Sequence, residues 1–320
     1  MSGFCPESVL KQMHIINLKT GAPSSTDNIT GTTFILGYFD GVHRGHRKLI
    51  EEAKNISVSG KTTVLTFDSL PTKKGKLLST KKEKEILLRD CGVEYAAYED
   101  FQEIRDLSGE EFIRRLSALS PESVVCGYDF TFGRGASCSA PDFEKLTKKY
   151  GINGFVIGEY KYSDEEISSR KIKELIEEGN VEKANELLGY SYRISSSVKH
   201  GAGLGHTMGF PTANLPCPRG KVIPSTGVYF CSAKVNGYTD TLYGICDVGY
   251  RPTVEKGTGK LRIEIHFLDC SMDIYGKSVT VGFLTKMREE ISFGSIDLLY
   301  EQIERDRTRA EELIKEYRCQ

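Results

Sequence analysis

Thr32-Thr33-Phe34-Ile35-Leu36-Gly37-Tyr38-Phe39-Asp40-Gly41-Val42-His43-Arg44-Gly45-His46 runs from an apolar, partly β-branched segment through a glycine-punctuated turn into a helical pattern. That order, strand then turn then helix, is how a parallel α/β unit begins. His43 and His46 stand three residues apart, so on a first helical turn they share a face. Such a turn also carries unpaired N–H groups that attract anions. Imidazoles donate hydrogen bonds and titrate near neutrality, so the pair can steady charge developing on a phosphorus under attack. Gly37, Gly41 and Gly45 let a phosphate chain approach the backbone. The competing reading is two surface histidines after a turn; the flanking strand and helix count against it.

Working outward, strand-like runs Thr32–Leu36, Thr62–Phe67, Glu94–Tyr98, Ser123–Cys126 and Gly154–Ile157 alternate with amphipathic segments Arg44–Ser57, Lys82–Cys91, Ser108–Leu119 and Pro141–Tyr150. Ser108 with Glu111 forms a capping-box pattern at one helix start. The alternation predicts right-handed crossovers, a parallel sheet, and ligands at the carboxyl ends of its strands. Two further segments would reach that edge. Gly127-Tyr128-Asp129-Phe130-Thr131-Phe132-Gly133 follows a strand and reads as an aromatic wall for a flat ring, or as a loop with core phenylalanines. Ser168-Ser169-Arg170-Lys171-Ile172-Lys173 opens a helix with hydroxyls and cations suited to phosphate, or simply caps it.

After helices expected over Ser169–Glu178 and Val181–Leu188, the period changes near Gly189. Strands are predicted over Tyr192–Lys199, Gly227–Val235, Thr241–Val248, Leu261–Leu268 and Ser278–Phe283. Asn236-Gly237 predicts a tight type I′ hairpin. Consecutive antiparallel strands suggest a small barrel. A helix over Ser295–Tyr317 should pack on it through Ile296, Leu299, Ile303, Ala310 and Leu313. The expected fold class is thus α/β plus all-β: residues 1–188 as a Rossmann-like parallel sheet, residues 189–320 as an antiparallel barrel with a C-terminal helix.

Lys and Arg number 43 against 44 Asp and Glu, which lacks the basic field that nucleic-acid binding uses. No apolar run reaches membrane-spanning length, and no signal-peptide pattern opens the chain. The nine scattered cysteines form no CxxC pair and suit reduced thiols. These features predict a cytoplasmic protein without nucleic-acid or membrane partners; they leave the oligomeric state open.

The three fragments of the first half together resemble the nucleotidyltransferase superfamily with its HxGH signature. More closely, they are similar to the FMN adenylyltransferase module of bifunctional prokaryotic riboflavin biosynthesis proteins, over roughly residues 30–188. The resemblance implies that His43 and His46 act on ATP phosphates, that Gly37, Phe39, Asp40, Gly41, Ser168, Ser169 and Arg170 bind ATP or its phosphates, and that Asp129, Phe130 and Gly133 lie in a flavin loop. Two positions depart from the family. Thr66-Phe67-Asp68-Ser69-Leu70-Pro71 lacks the histidine of the usual TFxPHP segment, and Arg170 and Lys173 replace threonine and arginine.

In the second half, Gly205-His206-Thr207-Met208-Gly209-Phe210-Pro211-Thr212-Ala213-Asn214-Leu215 places Thr212 and Asn214 on one face if extended, where their oxygens suit Mg²⁺ and phosphate. Glu264, in an alternating strand, is a candidate base or a solvated charge. With Gly249-Tyr250-Arg251-Pro252-Thr253, Asp273-Ile274-Tyr275-Gly276 and Met287-Arg288, these segments resemble the riboflavin kinase domain over about residues 189–312. The resemblance implies that Gly205, Gly209, Pro211, Thr212 and Asn214 bind Mg–ATP, with Thr212 and Asn214 as metal ligands. It also implies that Glu264 deprotonates the riboflavin 5′-hydroxyl and Arg288 lies near the flavin. Leu204 and His206 stand where the family carries arginine. The expected function is phosphorylation of riboflavin to FMN and adenylylation of FMN to FAD, with ATP as co-substrate and Mg²⁺ as cofactor. A kinase with a degenerate first half and a non-catalytic flavin sensor are the alternatives.

Overall fold

A computed structural model describes residues 12–18, 28–67, 75–199, 212–250, 261–268 and 274–318. Packing divides the described residues into two compact units, residues 12–169 and residues 170–318.

The first unit runs β1 (His14–Leu18), β2 (Thr33–Leu36), α1 (Arg44–Ile56), β3 (Thr62–Phe67), α2 (Lys81–Asp90), β4 (Tyr95–Glu99), α3 (Phe101–Ile104), α4 (Gly109–Ser117), β5 (Ser123–Gly127), α5 (Ala140–Lys149), β6 (Asn153–Ile157) and a small hairpin of β7 (Lys161–Tyr162) and β8 (Glu165–Glu166). The six long strands form one parallel sheet in the order β1-β4-β3-β2-β5-β6. From β2 the chain moves outward through β3 to β4, then returns to β5 on the other side of β2. The crevice at the carboxyl ends of β2 and β5 is therefore the topological switch point, where open α/β sheets bind ligands. β2 is buried along its whole length, as a central parallel strand between two helical layers must be. Phe34, Leu36, Val124, Cys126 and Phe143 pack in the core beneath this crevice. The expected capping box at Ser108 and Glu111 is present, and a second one forms at Thr80 and Glu83.

The second unit holds α6 (Ser169–Glu178), α7 (Val181–Leu188), β9 (Arg193–Ser197), β10 (Thr212–Leu215), β11 (Gly227–Val235), β12 (Leu242–Tyr250), β13 (Leu261–Phe267), β14 (Ser278–Arg288) and α8 (Ile296–Arg318). The period of the sequence changes at Gly189, yet both α6 and α7 pack with the strands: Asn185 Nδ2 donates to the Phe283 carbonyl and Ser225 N–H to that of Ile176. The six strands lie antiparallel in the order β10-β13-β12-β11-β14-β9. Lys199 N–H donates to the Asn214 carbonyl at 2.9 Å, which joins the end beyond β9 to β10 and closes the barrel. Inward residues such as Tyr229, Cys246, Ile263 and Ile265 are fully buried. On the outer face Phe230 and Leu284 pack against Ala310, Leu313 and Ile314 of α8.

Two expectations are corrected. The β11–β12 hairpin forms, but its loop spans residues 236–241 and only Gly237 takes positive φ, +87°. A type I′ turn needs positive φ at both central residues. Here Tyr238 N–H donates to the Val235 carbonyl and Asn236 stays outside the left-handed region. On α8, Ile296 is 68% exposed rather than packed. The first turn lies short of the Phe230 and Leu284 cluster, and Ile314 takes part in its place.

Candidate active sites

The first site is built on a strained turn. Phe39, Gly41 and Val42 all take positive φ, at 55°, 76° and 39°; for β-branched Val42 this is a genuine outlier, of the kind that clusters at functional turns. The turn is held from below: Asp40 Oδ1 accepts from the N–H groups of Leu78 and Ser79, and Gly41 N–H donates to Ser79 Oγ. His43 then caps α1, its Nδ1 accepting from His46 N–H at 3.4 Å. The proton of a neutral His43 must therefore sit on Nε2, leaving that atom as a donor. The two rings stack with centroids 3.6 Å apart, and Phe39 tilts against His46 at 5.0 Å. Gly37 and Gly45 make room for these rings rather than for the backbone alone: a Cβ at Gly37 would meet the Phe39 ring at 3.0 Å, and one at Gly45 would meet His43 Nδ1 at 3.3 Å.

Burial holds both imidazoles neutral. It pushes His43 from 6.5 down to about 3, and it lowers His46 well below its ordinary value, with His43 and Lys84 adding to the shift. His46 Nδ1 is buried without a hydrogen-bond partner among the described residues, in the wall of the cavity at this rim. A buried ring nitrogen left unpartnered there is free to donate to an oxygen of a bound ligand.

That cavity, about 730 Å³, is lined by Gly37, Tyr38 and His46 from the β2 side and by Asp129, Phe130 and Gly133 from the β5 side. The two sequence fragments meet at the switch point. Phe130 and Phe132 stack at 5.7 Å, and Phe67, Phe101 and Phe112 complete the aromatic wall. Its volume falls in the range of small-molecule sites. The serine segment also arrives: Ser169 Oγ donates to the Asp40 carbonyl at 3.0 Å. Arg170, 89% exposed, instead pairs with Glu174 one helical turn on. Lys84, which no motif of the sequence singles out, is buried; its Nζ donates to Tyr38 O, Thr66 Oγ1 and Phe67 O and so ties the ends of β2 and β3 together. Asp68–Pro71 lie outside the described residues, as do Gly205, Gly209, Pro211, Arg251–Thr253 and Asp273.

The second site is set by strand register. Asn214 lies directly opposite Glu264, Glu264 opposite Asp247, Asp247 opposite Val228, and Val228 opposite Arg288. Directly opposed residues project to the same side of a sheet, so this row presents an amide, two carboxylates and a guanidinium on one face. Thr212, opposite His266, stands one step along the same face. Thr212, Glu264, His266, Asp247 and Arg288 line a cavity of about 330 Å³, whose other wall includes Leu299, Ile303 and Asp306 of α8. Arg262 pairs with Asp247 at 3.2 Å and with Glu264 at 3.3 Å. Asp306 holds Arg288 through a two-pronged ion pair, 2.7 Å at its shortest. Asp247, Arg262 and Asp306 were not singled out from sequence; the alternation around Glu264 points to Arg262, but nothing local points to the other two.

Two family models match the chain, one described as FAD synthetase over residues 25–171 and one as riboflavin kinase over residues 188–314. A protein of Bacillus subtilis named bifunctional riboflavin kinase/FMN adenylyltransferase is 37% identical over 290 residues, covering 86% of this chain and 90% of its own. The chain belongs to that bifunctional family. A family member from Escherichia coli K12 is 34% identical over 298 residues, covering 88% of this chain and 92% of its own. A solved structure from Streptococcus pneumoniae, named a macrolide-efflux protein, shares the fold with TM-score 0.82 at 27% identity, over 93% of this chain and 99% of that one. Among the described residues no helix is long and apolar enough to cross a membrane. The riboflavin kinase match covers the barrel, and the FAD synthetase match covers the parallel sheet from β2 onward, so each site lies within its own matched region.

Proposed function

We infer that the chain makes FMN from riboflavin in the barrel unit and FAD from FMN in the parallel-sheet unit, consuming ATP in each step. The observation that carries the kinase assignment is the register placing Asn214 opposite Glu264, with Thr212 and Glu264 in one cavity wall. Glu264 takes the proton of the riboflavin 5′-hydroxyl; that oxygen bonds to the γ-phosphorus, and the bond from phosphorus to the bridging oxygen breaks to release ADP. A positioned base of this kind is worth roughly 10²–10⁴ in rate. Thr212 and Asn214 offer two hard oxygens on one face. Mg²⁺ suits such a pair, because it is bound by one or two protein oxygens plus phosphates rather than by a full cage of side chains. It would neutralise charge on the phosphates. Arg288, across the same face, orients the flavin.

In the first unit, an FMN phosphate oxygen bonds to the α-phosphorus of ATP and pyrophosphate leaves. His43 and His46, on the N-terminal turn of α1, hold the phosphates. Gly37, Phe39, Asp40, Gly41 and Ser169 shape the turn around them, Ser168 adjoins it, and Asp129, Phe130 and Gly133 receive the flavin. Support comes from the convergence of all three fragments on one rim, with Ser169 bonded to Asp40. We place both reactions in the cytoplasm, where riboflavin, FMN and ATP meet reduced thiols; the six described cysteines are all free.

The test is to incubate the protein with riboflavin, ATP and Mg²⁺ and resolve FMN and FAD over time. Both should appear in sequence. Glu264→Gln should slow FMN formation roughly 10²–10⁴-fold while sparing conversion of supplied FMN to FAD. FMN formation at the wild-type rate by that variant would reject the base assignment; absence of FAD from supplied FMN would reject the first unit's role.

A further inference from the structure

The wall of the barrel cavity contains an arrangement that its assigned residues do not explain. Glu264 and Asp247 are directly opposite each other on adjacent strands, so two carboxylates lie side by side on one face. Like charges so placed repel, and partial burial in a cavity strengthens the repulsion. Gly249 brings a third: the space its Cβ would take is filled by the Glu290 carboxylate, which also lies near Asp247. Arg262 answers this from two residues before Glu264 on the same strand face. Its Nη1 reaches Glu264 Oε1 at 3.3 Å and its Nη2 reaches Asp247 Oδ2 at 3.2 Å. Arg288 faces the same carboxylates but is held on the α8 side by Asp306. Burial raises the Asp247 carboxyl above its ordinary range, and the Arg262 charge opposes that shift.

We propose that Arg262 is the positioning residue of the kinase base: one planar guanidinium compensates Asp247 and Glu264 together and fixes the Glu264 carboxylate toward the cavity. A fork with donors on two branches can serve two carboxylates at once, which an ammonium cannot do with fixed geometry. Without it, Glu264 would turn away from its like-charged neighbour, and a base so displaced no longer faces the cavity. The inference rests on the kinase reading of Glu264, and Asp247 acquires a role as the anchor of the guanidinium.

The experiment is steady-state phosphorylation of riboflavin by Arg262→Gln, Arg262→Lys and the double variant Arg262→Gln/Asp247→Asn, with thermal unfolding as a check on folding. Arg262→Gln should lower kcat about 10–100-fold, with KM for riboflavin and for Mg–ATP within about threefold of wild type, the signature of an interaction made for the chemical step. Arg262→Lys should lose about three- to tenfold. Removing the competing carboxylate in the double variant should recover at least about fivefold over the single one, a coupling expected only of residues in contact. A raised KM for ATP at unchanged kcat would reassign Arg262 to phosphate binding and overturn the proposal. No gain in the double variant would overturn it too. If Arg262→Gln does not fold, Arg262→Lys decides, and wild-type turnover there refutes the role. Glu264→Gln separates the two levels: indifference of that variant defeats the assignment of Glu264 as base, whereas its inactivity beside normal Arg262 variants defeats only this inference.

Discussion

His43 and His46 stack with ring centroids 3.6 Å apart, and His43 Nδ1 accepts the backbone N–H of His46. Protonating His43 would place a hydrogen on that acceptor and a charge against its neighbour. Both groups are held below their ordinary values, His43 at about 3. For a histidine with a depressed folded value, the unfolded chain takes up protons first, near pH 6.5, while the folded chain does not. Stability is therefore intact above about pH 6.5 and declines as pH falls from there toward about 3. The urea midpoint of the wild type should drop more between pH 7 and pH 5.5 than that of His43→Gln, which has one such proton fewer to take up. Parallel pH dependence in the two proteins would contradict the burial argument.

Ser169 reaches the same turn from the far end of the first unit, donating to the Asp40 carbonyl. Removing one such bond costs about 0.5–1.5 kcal/mol. If that energy holds the turn in register, Ser169→Ala should slow formation of FAD from supplied FMN about three- to tenfold while riboflavin phosphorylation is unchanged. Pyrophosphate release, measured with FMN and ATP, reads the first effect directly. Equal losses in both reactions would point to a general packing defect instead.

Gly133 has φ +77°, and a Cβ there would stand 2.9 Å from the backbone nitrogen of Gly109. With ψ at 168° this is a conformation nearly confined to glycine. Gly133→Ala should destabilise the first unit by about 1–3 kcal/mol and lower FAD formation with it. Denaturant unfolding followed alongside activity checks this; an unchanged midpoint would mean that the loop relaxes freely.

β3, α6, α7 and β11 stand where their periodicity placed them, since each is a hydrophobic pattern or capping signal held within a few neighbours. β1 was missed: its five residues, His14–Leu18, form an edge strand whose partner β4 lies some eighty residues on, and nothing local encodes that pairing. The site splits the same way. Glu264, Thr212 and Asn214 could be put on faces of their strands, but periodicity does not say which strands are neighbours, so Asp247 and Asp306 stayed invisible until register and the docking of α8 were known. Arg288 was named from its motif, yet β14 was expected to stop at Phe283; the strand continues because β11 pairs with it as far as Arg288.

That continuation sets up the interaction of Arg288 with α8. Asp306 is only 9% exposed, and its carboxylate accepts from Arg288 Nε and Nη2 and from Gln302 Nε2. The pair is partly buried, where removing one partner leaves the other charge uncompensated and costs about 3–5 kcal/mol. Asp306→Ala should therefore lower the unfolding midpoint of the second unit clearly. Asp306→Asn keeps an acceptor for Arg288 but withdraws the charge, so it should fold better than the alanine variant. Freed from its partner, Arg288 would meet the carboxylates of Asp247 and Glu290, whose fields it already feels. On the proposed role of Arg288 in orienting the flavin, it would then be drawn away from that position toward them. The expected result is a KM for riboflavin raised about five- to twentyfold with a smaller loss of kcat, since a displaced binding group weakens ground-state and transition-state contacts alike. Riboflavin binding by fluorescence quenching gives the same quantity without turnover. An unchanged riboflavin affinity in Asp306→Asn would show that α8 stabilises the barrel without governing Arg288.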